Sequence, residues 1–163
     1  MTEAISSERL ASAAPGTFFL RVERLFEASP ERVFAAFTEA RHLLQWWGPK
    51  GMTCPHIEID ARVGGAYRSC MRAPSGQEHW VSGIFREVAP PRRLAFSWAW
   101  EENGVRGHES VVTITFTAHD KGTFVSLIHT DLATQESRDK HEHGWNSTLD
   151  SLQDFLWEGG GKI

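Results

Sequence analysis

The chain has 163 residues, 40% of them hydrophobic and 23% charged, which suits a protein with one hydrophobic core. Its 17 Lys and Arg against 21 Asp and Glu leave a formal net charge of −4, and no predicted helix carries a basic stripe, so we expect no nucleic-acid partner. No apolar run approaches the roughly 20 residues of a membrane-spanning helix, and we therefore expect a cytoplasmic protein.

The two cysteines and eight histidines form no recognisable metal site. Cys54 and Cys70 are too few for a disulfide framework and lack the spacing of metal ligands. His141 and His143 lie two residues apart on a predicted helix, where they face nearly opposite directions and cannot both bind one ion. His129 and His141 could meet between sheet and helix, but zinc needs at least three protein ligands. We predict no metal and no cofactor.

The residues that follow Pro15-Gly16 predict one strand and then two short helices. Hydrophobic residues alternate from Phe18 to Glu27, which is typical of a strand with one buried face. Ser29-Pro30-Glu31 then supplies an N-cap, a proline at the first helical position and an acidic first turn. A second short helix is predicted from Glu39 to Gln45, before Gly48-Pro49 stops it.

In most of the remaining chain, hydrophobic and polar residues alternate, which predicts an antiparallel β-meander. Gly, Pro, Asn and Asp residues separate its segments, as turns do between strands. With the first strand, these segments make one antiparallel sheet of about seven strands. The six segments are centred on residues 57–59, 66–72, 80–88, 94–100, 112–117 and 124–129.

After Asp131 the hydrophobic period changes from two residues to three and four. Trp145, Leu149 and Leu152 follow this spacing, which predicts an amphipathic helix from about Thr134 to Glu158. The apolar face of the sheet needs a cover, and this helix is the only predicted element long enough to provide it. We expect one α+β domain over residues 17–158, a disordered tail over 1–16 and a flexible tail over 159–163.

Four motifs stand in order along these elements. They are Trp46-Trp47-Gly48-Pro49, Gly64-Gly65-Ala66-Tyr67-Arg68, the segment GIFREVAPPRRL at 83–94, and Gly144-Trp145 with the leucines that follow. With the order of the elements, they resemble the START-like (SRPBCC) superfamily over about residues 18–156. The most similar branch is named for homology to the activator of the heat-shock-protein-90 ATPase.

The resemblance implies a helix-grip fold like that of the birch-pollen allergen. In this fold a curved antiparallel sheet of about seven strands wraps around a long C-terminal helix, and two short helices follow the first strand. An apolar cavity often lies between sheet and helix. The superfamily includes lipid carriers, hormone and flavonoid binders, polyketide aromatase/cyclases and co-chaperone domains, so the resemblance specifies a fold more than an activity.

We expect the space between sheet and helix to hold a mostly apolar cavity with a few polar groups, which is the usual character of a small-molecule site. The alternative is that the same side chains fill a solid core, with Gly83 at a bulge. Of Trp46 and Trp47, at most one is expected to cap the cavity mouth. The candidate lining residues are Trp46, Trp47, Tyr67, Ser69, Met71, Val81, Phe85, Phe96, Trp98, Trp100, Val112, Ile114, Phe116, Leu127, His129, His141, Trp145 and Leu149.

The sequence thus favours a binding protein over an enzyme, with a small hydrophobic or aromatic ligand such as a lipid or a polyketide- or flavonoid-like compound. His129, Ser69 or Tyr67 would orient this ligand. An enzyme of the cyclase or hydrolase type is the first alternative, with His129 as a general base because an unperturbed pKa of about 6.5 suits proton transfer. A chaperone-associated interaction module is the second alternative. The sequence neither supports nor excludes a homodimer, and we assign no catalytic residue.

Overall fold

The structure is a computed structural model that describes residues 16–161, with side chains up to residue 158. Residues 1–15 and 162–163 lie outside the described residues, and with them nearly all of the predicted N-terminal tail and the last two residues of the predicted C-terminal tail. The helices are α1 (Pro30–Thr38), α2 (Ala40–Trp46) and α3 (Gln135–Gly161). The strands are β1 (Phe18–Phe26), β2 (Thr53–Ile59), β3 (Ala66–Arg72), β4 (Glu78–Ala89), β5 (Arg93–Glu102), β6 (Val105–Arg106), β7 (Ser110–His119) and β8 (Gly122–Leu132).

The strands form one curved antiparallel sheet in the order β1-β8-β7-β5-β4-β3-β2. The two-residue strand β6 pairs with β5 alone and is too short to show an alternating pattern, so the sequence did not predict it. The α+β class, the curved sheet and the long C-terminal helix confirm the predicted helix-grip fold. None of the helices among the described residues is both long and apolar enough to cross a bilayer.

The start of α1 follows the local signals in the sequence. The Ser29 side chain accepts a hydrogen bond from the Arg32 backbone N–H at 3.2 Å, and Pro30 opens the helix. Helix α2 ends at Trp46, and Gly48 follows with φ +121°, a conformation that favours glycine. This backbone turn places Trp46 and Trp47 against the concave side of the sheet, where both are buried.

Helix α3 is held on the sheet along its C-terminal half. Leu149, Leu152 and Leu156 are buried in the core. The Asp150 carboxylate forms a salt bridge with the guanidinium of Arg24 on β1, with 2.6 Å between Oδ1 and Nη1. The sequence predicts a helix end at Glu158, whereas the helical backbone continues to Gly161. Glycine lowers helix propensity by about 1 kcal/mol per residue without forbidding helical dihedral angles, so glycines alone do not end a helix.

Gly83 of β4 allows the neighbouring strand β5 to approach closely. A Cβ atom there would lie 1.8 Å from the Ser97 carbonyl oxygen and 2.7 Å from the Tyr67 ring. That carbonyl accepts the Tyr67 hydroxyl at 2.6 Å. The β4–β5 register shifts between Phe85 and Glu87, so the bulge lies beyond Gly83 and not at it, where the solid-core alternative had expected it.

We expect Gly83→Ala to lower the free energy of unfolding by about 3 kcal/mol or more, because the added methyl overlaps backbone that cannot yield without distorting the sheet. The measurement is urea unfolding followed by circular dichroism. Gly107→Ala is the matched control, since its Cβ would meet the Trp100 carbonyl oxygen at an ordinary 3.5 Å. Equal stability of the two variants would contradict this account of Gly83.

Candidate ligand-binding cleft

A cleft of about 460 Å³ lies between the N-terminal half of α3 and strands β3 and β5. This volume is in the range of about 300–1,000 Å³ that is usual for small-molecule sites. The sheet side and the loop after α2 contribute Trp47, Pro49, Met71, Trp98 and Trp100. The helix side contributes Thr134, Glu136, Ser137, Lys140, His141, Gly144, Trp145 and Thr148.

Four tryptophans make the aromatic wall of the cleft, and three of them are fixed by hydrogen bonds from the indole N–H. Trp47 donates to Ser69 Oγ at 3.0 Å, and Trp100 donates to His141 Nε2 at 2.9 Å. Trp145 donates to His129 Nδ1 at 3.0 Å. Because three of the rings are held at their polar ends and all four pack edge-to-face or tilted against their neighbours, the wall is rigid.

Trp98 is the fourth member of the wall and differs from the others. Its side chain is 3% exposed, and its indole N–H has no hydrogen-bond partner among the residues that the structure describes. Its ring centroid lies 5.1 Å from that of Trp145 and 5.4 Å from that of Trp100. A buried donor without a partner costs about 1–3 kcal/mol, so an additional acceptor at Trp98 would be stabilising.

His129 lies behind the wall in a chain of hydrogen bonds that crosses three strands. Since Trp145 donates to Nδ1, Nε2 carries the proton and donates to Ser110 Oγ at 2.7 Å. The Ser110 hydroxyl in turn donates to the Trp98 carbonyl oxygen at 3.2 Å. The side chain is completely buried, so both ring nitrogens of His129 are engaged within the protein and neither faces the cleft.

His141 meets His129 edge-to-face, with 4.9 Å between the ring centroids. Its Nδ1 donates to the Ser137 carbonyl oxygen at 2.7 Å, which leaves Nε2 to accept from Trp100. Burial lowers the pKa of His141, and burial with the neighbouring His141 lowers the pKa of His129 well below its ordinary value. Both imidazoles are therefore neutral at pH 7.

The pair of histidines does not extend to a metal site within the described residues, where no group of three or more His, Cys, Asp or Glu side chains comes together. Cys54 and Cys70 are free and buried. Burial raises the pKa of the Cys54 thiol to about 11, so the thiol is protonated at neutral pH and is neither a nucleophile nor a ready metal ligand.

A second hollow lies deeper between sheet and helices and has a volume of only about 20 Å³. This is close to the space that one water molecule needs. The interior is therefore nearly filled between the residues that line this hollow. The hollow is lined by Phe37, Leu43, Trp47, Ile57, Ile59, Tyr67, Ser69, Phe85 and Phe96.

The structure divides the 18 candidate lining residues into three groups. Those that line the cleft are Trp47, Met71, Trp98, Trp100, His141 and Trp145. Those that line the small hollow and not the cleft are Tyr67, Ser69, Phe85 and Phe96. The other candidates are packed in the buried core away from both spaces, and they are Trp46, Val81, Val112, Ile114, Phe116, Leu127, His129 and Leu149.

The helix side of the cleft contains small and polar residues that the sequence analysis missed. Ser137, Gly144 and Thr148 recur at helical spacing beside His141, so the periodicity that selected His141 could have selected them too. The predicted lining followed the stripe of His141, Trp145 and Leu149 along this helix and did not extend to these small and polar positions. At the rim, Lys140 and Glu136 are exposed and pair at 3.4 Å, which leaves the mouth of the cleft without net charge from this pair.

Comparisons with known proteins place this chain among related structures. The family model described as "Activator of Hsp90 ATPase homolog 1-like protein" matches residues 27–156. A crystal structure of an AHSA1 protein from Silicibacter pomeroyi is 36% identical, with a TM-score of 0.79, covering 85% of this chain and 97% of that one. A protein from Chromobacterium violaceum is 30% identical, with a TM-score of 0.77, covering 88% and 98% respectively. A comparison with curated proteins finds no match.

We expect stability to fall as the pH drops from about 7.5 to 5.5, because the unfolded chain regains ordinary histidine pKa values near 6.5 and binds protons that folded His129 and His141 do not. The free energy of unfolding should fall by up to about 1.4 kcal/mol per pH unit for each histidine. Urea unfolding at a series of pH values measures this slope.

His129→Gln should flatten the slope, since glutamine can accept from Trp145 and donate to Ser110 but does not titrate. Leu127→Ala, two residues away on the same strand, should lower stability at every pH by about 2–5 kcal/mol and keep the wild-type slope. A slope that is the same in all three proteins would show that His129 is not responsible for it.

Proposed function

Because this chain belongs to the activator of Hsp90 ATPase homolog 1-like family, within the START-like superfamily, we propose that it binds a small hydrophobic or aromatic molecule between its sheet and α3. The observation that carries this proposal is the cleft of about 460 Å³ whose wall consists of four indole rings. Burial of apolar ligand surface supplies the driving force, at about 25 cal/mol per Å².

Gly144 supports the proposal from the helix side. It lies in the interior of α3, where glycine costs about 1 kcal/mol relative to alanine. A Cβ atom at this position would meet no atom within 4 Å, so packing does not require the missing side chain. The glycine instead leaves the helix backbone open to the cleft, which gives a ligand room to approach.

The polar groups available to orient a ligand differ from those expected at first. Ser69 Oγ is occupied by Trp47, and the Tyr67 hydroxyl donates to the Ser97 carbonyl oxygen. His129 is engaged at both ring nitrogens. Orientation would therefore come from the rim, where Glu136, Ser137 and Lys140 lie.

The same contacts favour binding over catalysis in this cleft. A general base has to reach the substrate with a free nitrogen or oxygen. His129 is completely buried, and burial keeps the pKa of the Tyr67 hydroxyl well above its ordinary value while its proton is held by Ser97. The chaperone-module alternative rests on the name of the family alone.

We expect wild-type protein to bind the bicyclic carboxylate 2-naphthoate, measured by isothermal titration calorimetry. Gly144→Phe, which puts a ring into the open space beside Gly144, should weaken binding by at least about tenfold, equivalent to 1.4 kcal/mol. Gly144→Ala, whose methyl group takes up little of this space, should weaken binding by less than Gly144→Phe and should raise the free energy of unfolding by about 1 kcal/mol.

His143→Phe is the matched control for the blocking variant. It adds the same ring at the next residue of α3, which is exposed and not part of the cleft lining. We expect it to bind 2-naphthoate as the wild type does. Unchanged binding in Gly144→Phe would locate the ligand elsewhere, and no binding by the wild type would refute the proposal for this class of compound.

A further inference from the structure

We propose that Trp47 sets the depth of the cleft and so makes the protein selective for compact, rigid aromatic molecules over long acyl chains. This inference rests on the proposed function, because it concerns which molecules the same cleft accepts. Trp47 is the one residue that lines both the cleft and the small deeper hollow in the described part of the chain.

The two spaces are adjacent layers of one interior. On β3, Ser69 lines the hollow and Met71, two residues on, lines the cleft. On β5, Phe96 lines the hollow and Trp98 lines the cleft. Two residues along a strand correspond to about 6.6 Å, so the spaces are separated by roughly the width of one side chain. The Trp47 indole fills that interval.

Contacts on several sides hold the Trp47 ring in this position. Its N–H donates to Ser69 Oγ at 3.0 Å, and its backbone N–H caps α2 through the Leu43 carbonyl oxygen. The ring packs edge-to-face against Trp46 at 5.4 Å and Trp145 at 5.8 Å. These contacts hold the Trp47 ring in place before a ligand binds. The ring therefore acts as a fixed partition between the cleft and the hollow.

A fixed partition favours one shape of ligand. A flat multi-ring molecule can lie against the indole faces of the cleft and fill it without reaching deeper. An extended acyl chain would have to fold back or leave part of its length in water. Each methylene left in water forfeits about fourfold in affinity. Rigid walls also favour a rigid ligand, because less conformational freedom is lost on binding.

The test compares 2-naphthoate with undecanoate, the straight-chain carboxylate with the same number of carbon atoms, by isothermal titration calorimetry. Wild-type protein should bind 2-naphthoate more tightly. Trp47→Ala joins the cleft to the hollow, so undecanoate should gain about tenfold relative to 2-naphthoate, as two or so further methylenes become buried. Trp47→Leu should shift the ratio in the same direction by less.

Trp46→Ala is the matched control, since it removes a neighbouring buried indole that lines neither the cleft nor the hollow. It should keep the wild-type ratio. Circular dichroism checks that each variant is folded, and Trp47→Leu provides the answer if Trp47→Ala is not. An unchanged ratio in the folded Trp47 variants, or the same change in Trp46→Ala, would overturn the partition while leaving the cleft as a binding site. No binding of either probe to the wild type would instead refute the proposed function.

Discussion

The hydrogen bond from the Trp145 indole to His129 fixes helix α3 at one height and rotation above the sheet. His129 in turn donates a hydrogen bond to Ser110, and Ser110 donates to the Trp98 carbonyl oxygen. One chain of hydrogen bonds therefore connects the helix to β8, β7 and β5. Loss of any member would leave a buried polar atom unpaired, which costs more than the net gain from a typical hydrogen bond. The position of the helix, and with it the opening of the cleft, depends on this chain.

The aromatic side chains keep the cleft open by being immobile. A flexible aliphatic wall could relax into the space, since cores partly collapse around cavities. Three of the four indoles cannot do so, because the N–H of each is held by Ser69, His141 or His129. The C-terminal half of α3 is packed by leucines, and its N-terminal half presents Ser137, Gly144 and Thr148 instead. The open space thus follows from a change of residue type along one helix.

The fold of this protein could be predicted from local patterns, and the reasons are visible in individual elements. Ser29 and Pro30 specify a helix start within three residues, and alternation along β5 and β7 identifies the inward face of each strand. Alternation along β5 also placed Phe96, Trp98 and Trp100 on one face, where Phe96 lines the hollow and the two tryptophans line the cleft. Alternation along a strand cannot distinguish a side chain that fills the core from one that borders an open space, because both side chains are apolar and point inward.

The sequence by itself determined the order of the elements, the inward faces and the family, because these depend on residue spacing and short motifs. Only the tertiary structure decided where space is left and which polar atoms are free, because both depend on the packing of residues that are distant in the chain. His129 illustrates the difference: its strand position follows from alternation, whereas its neutrality follows from burial and the neighbouring His141. Its tautomer is set by Trp145 and Ser110, 16 and 19 residues away. Trp47 likewise became a partition only where α2 meets Ser69 of β3.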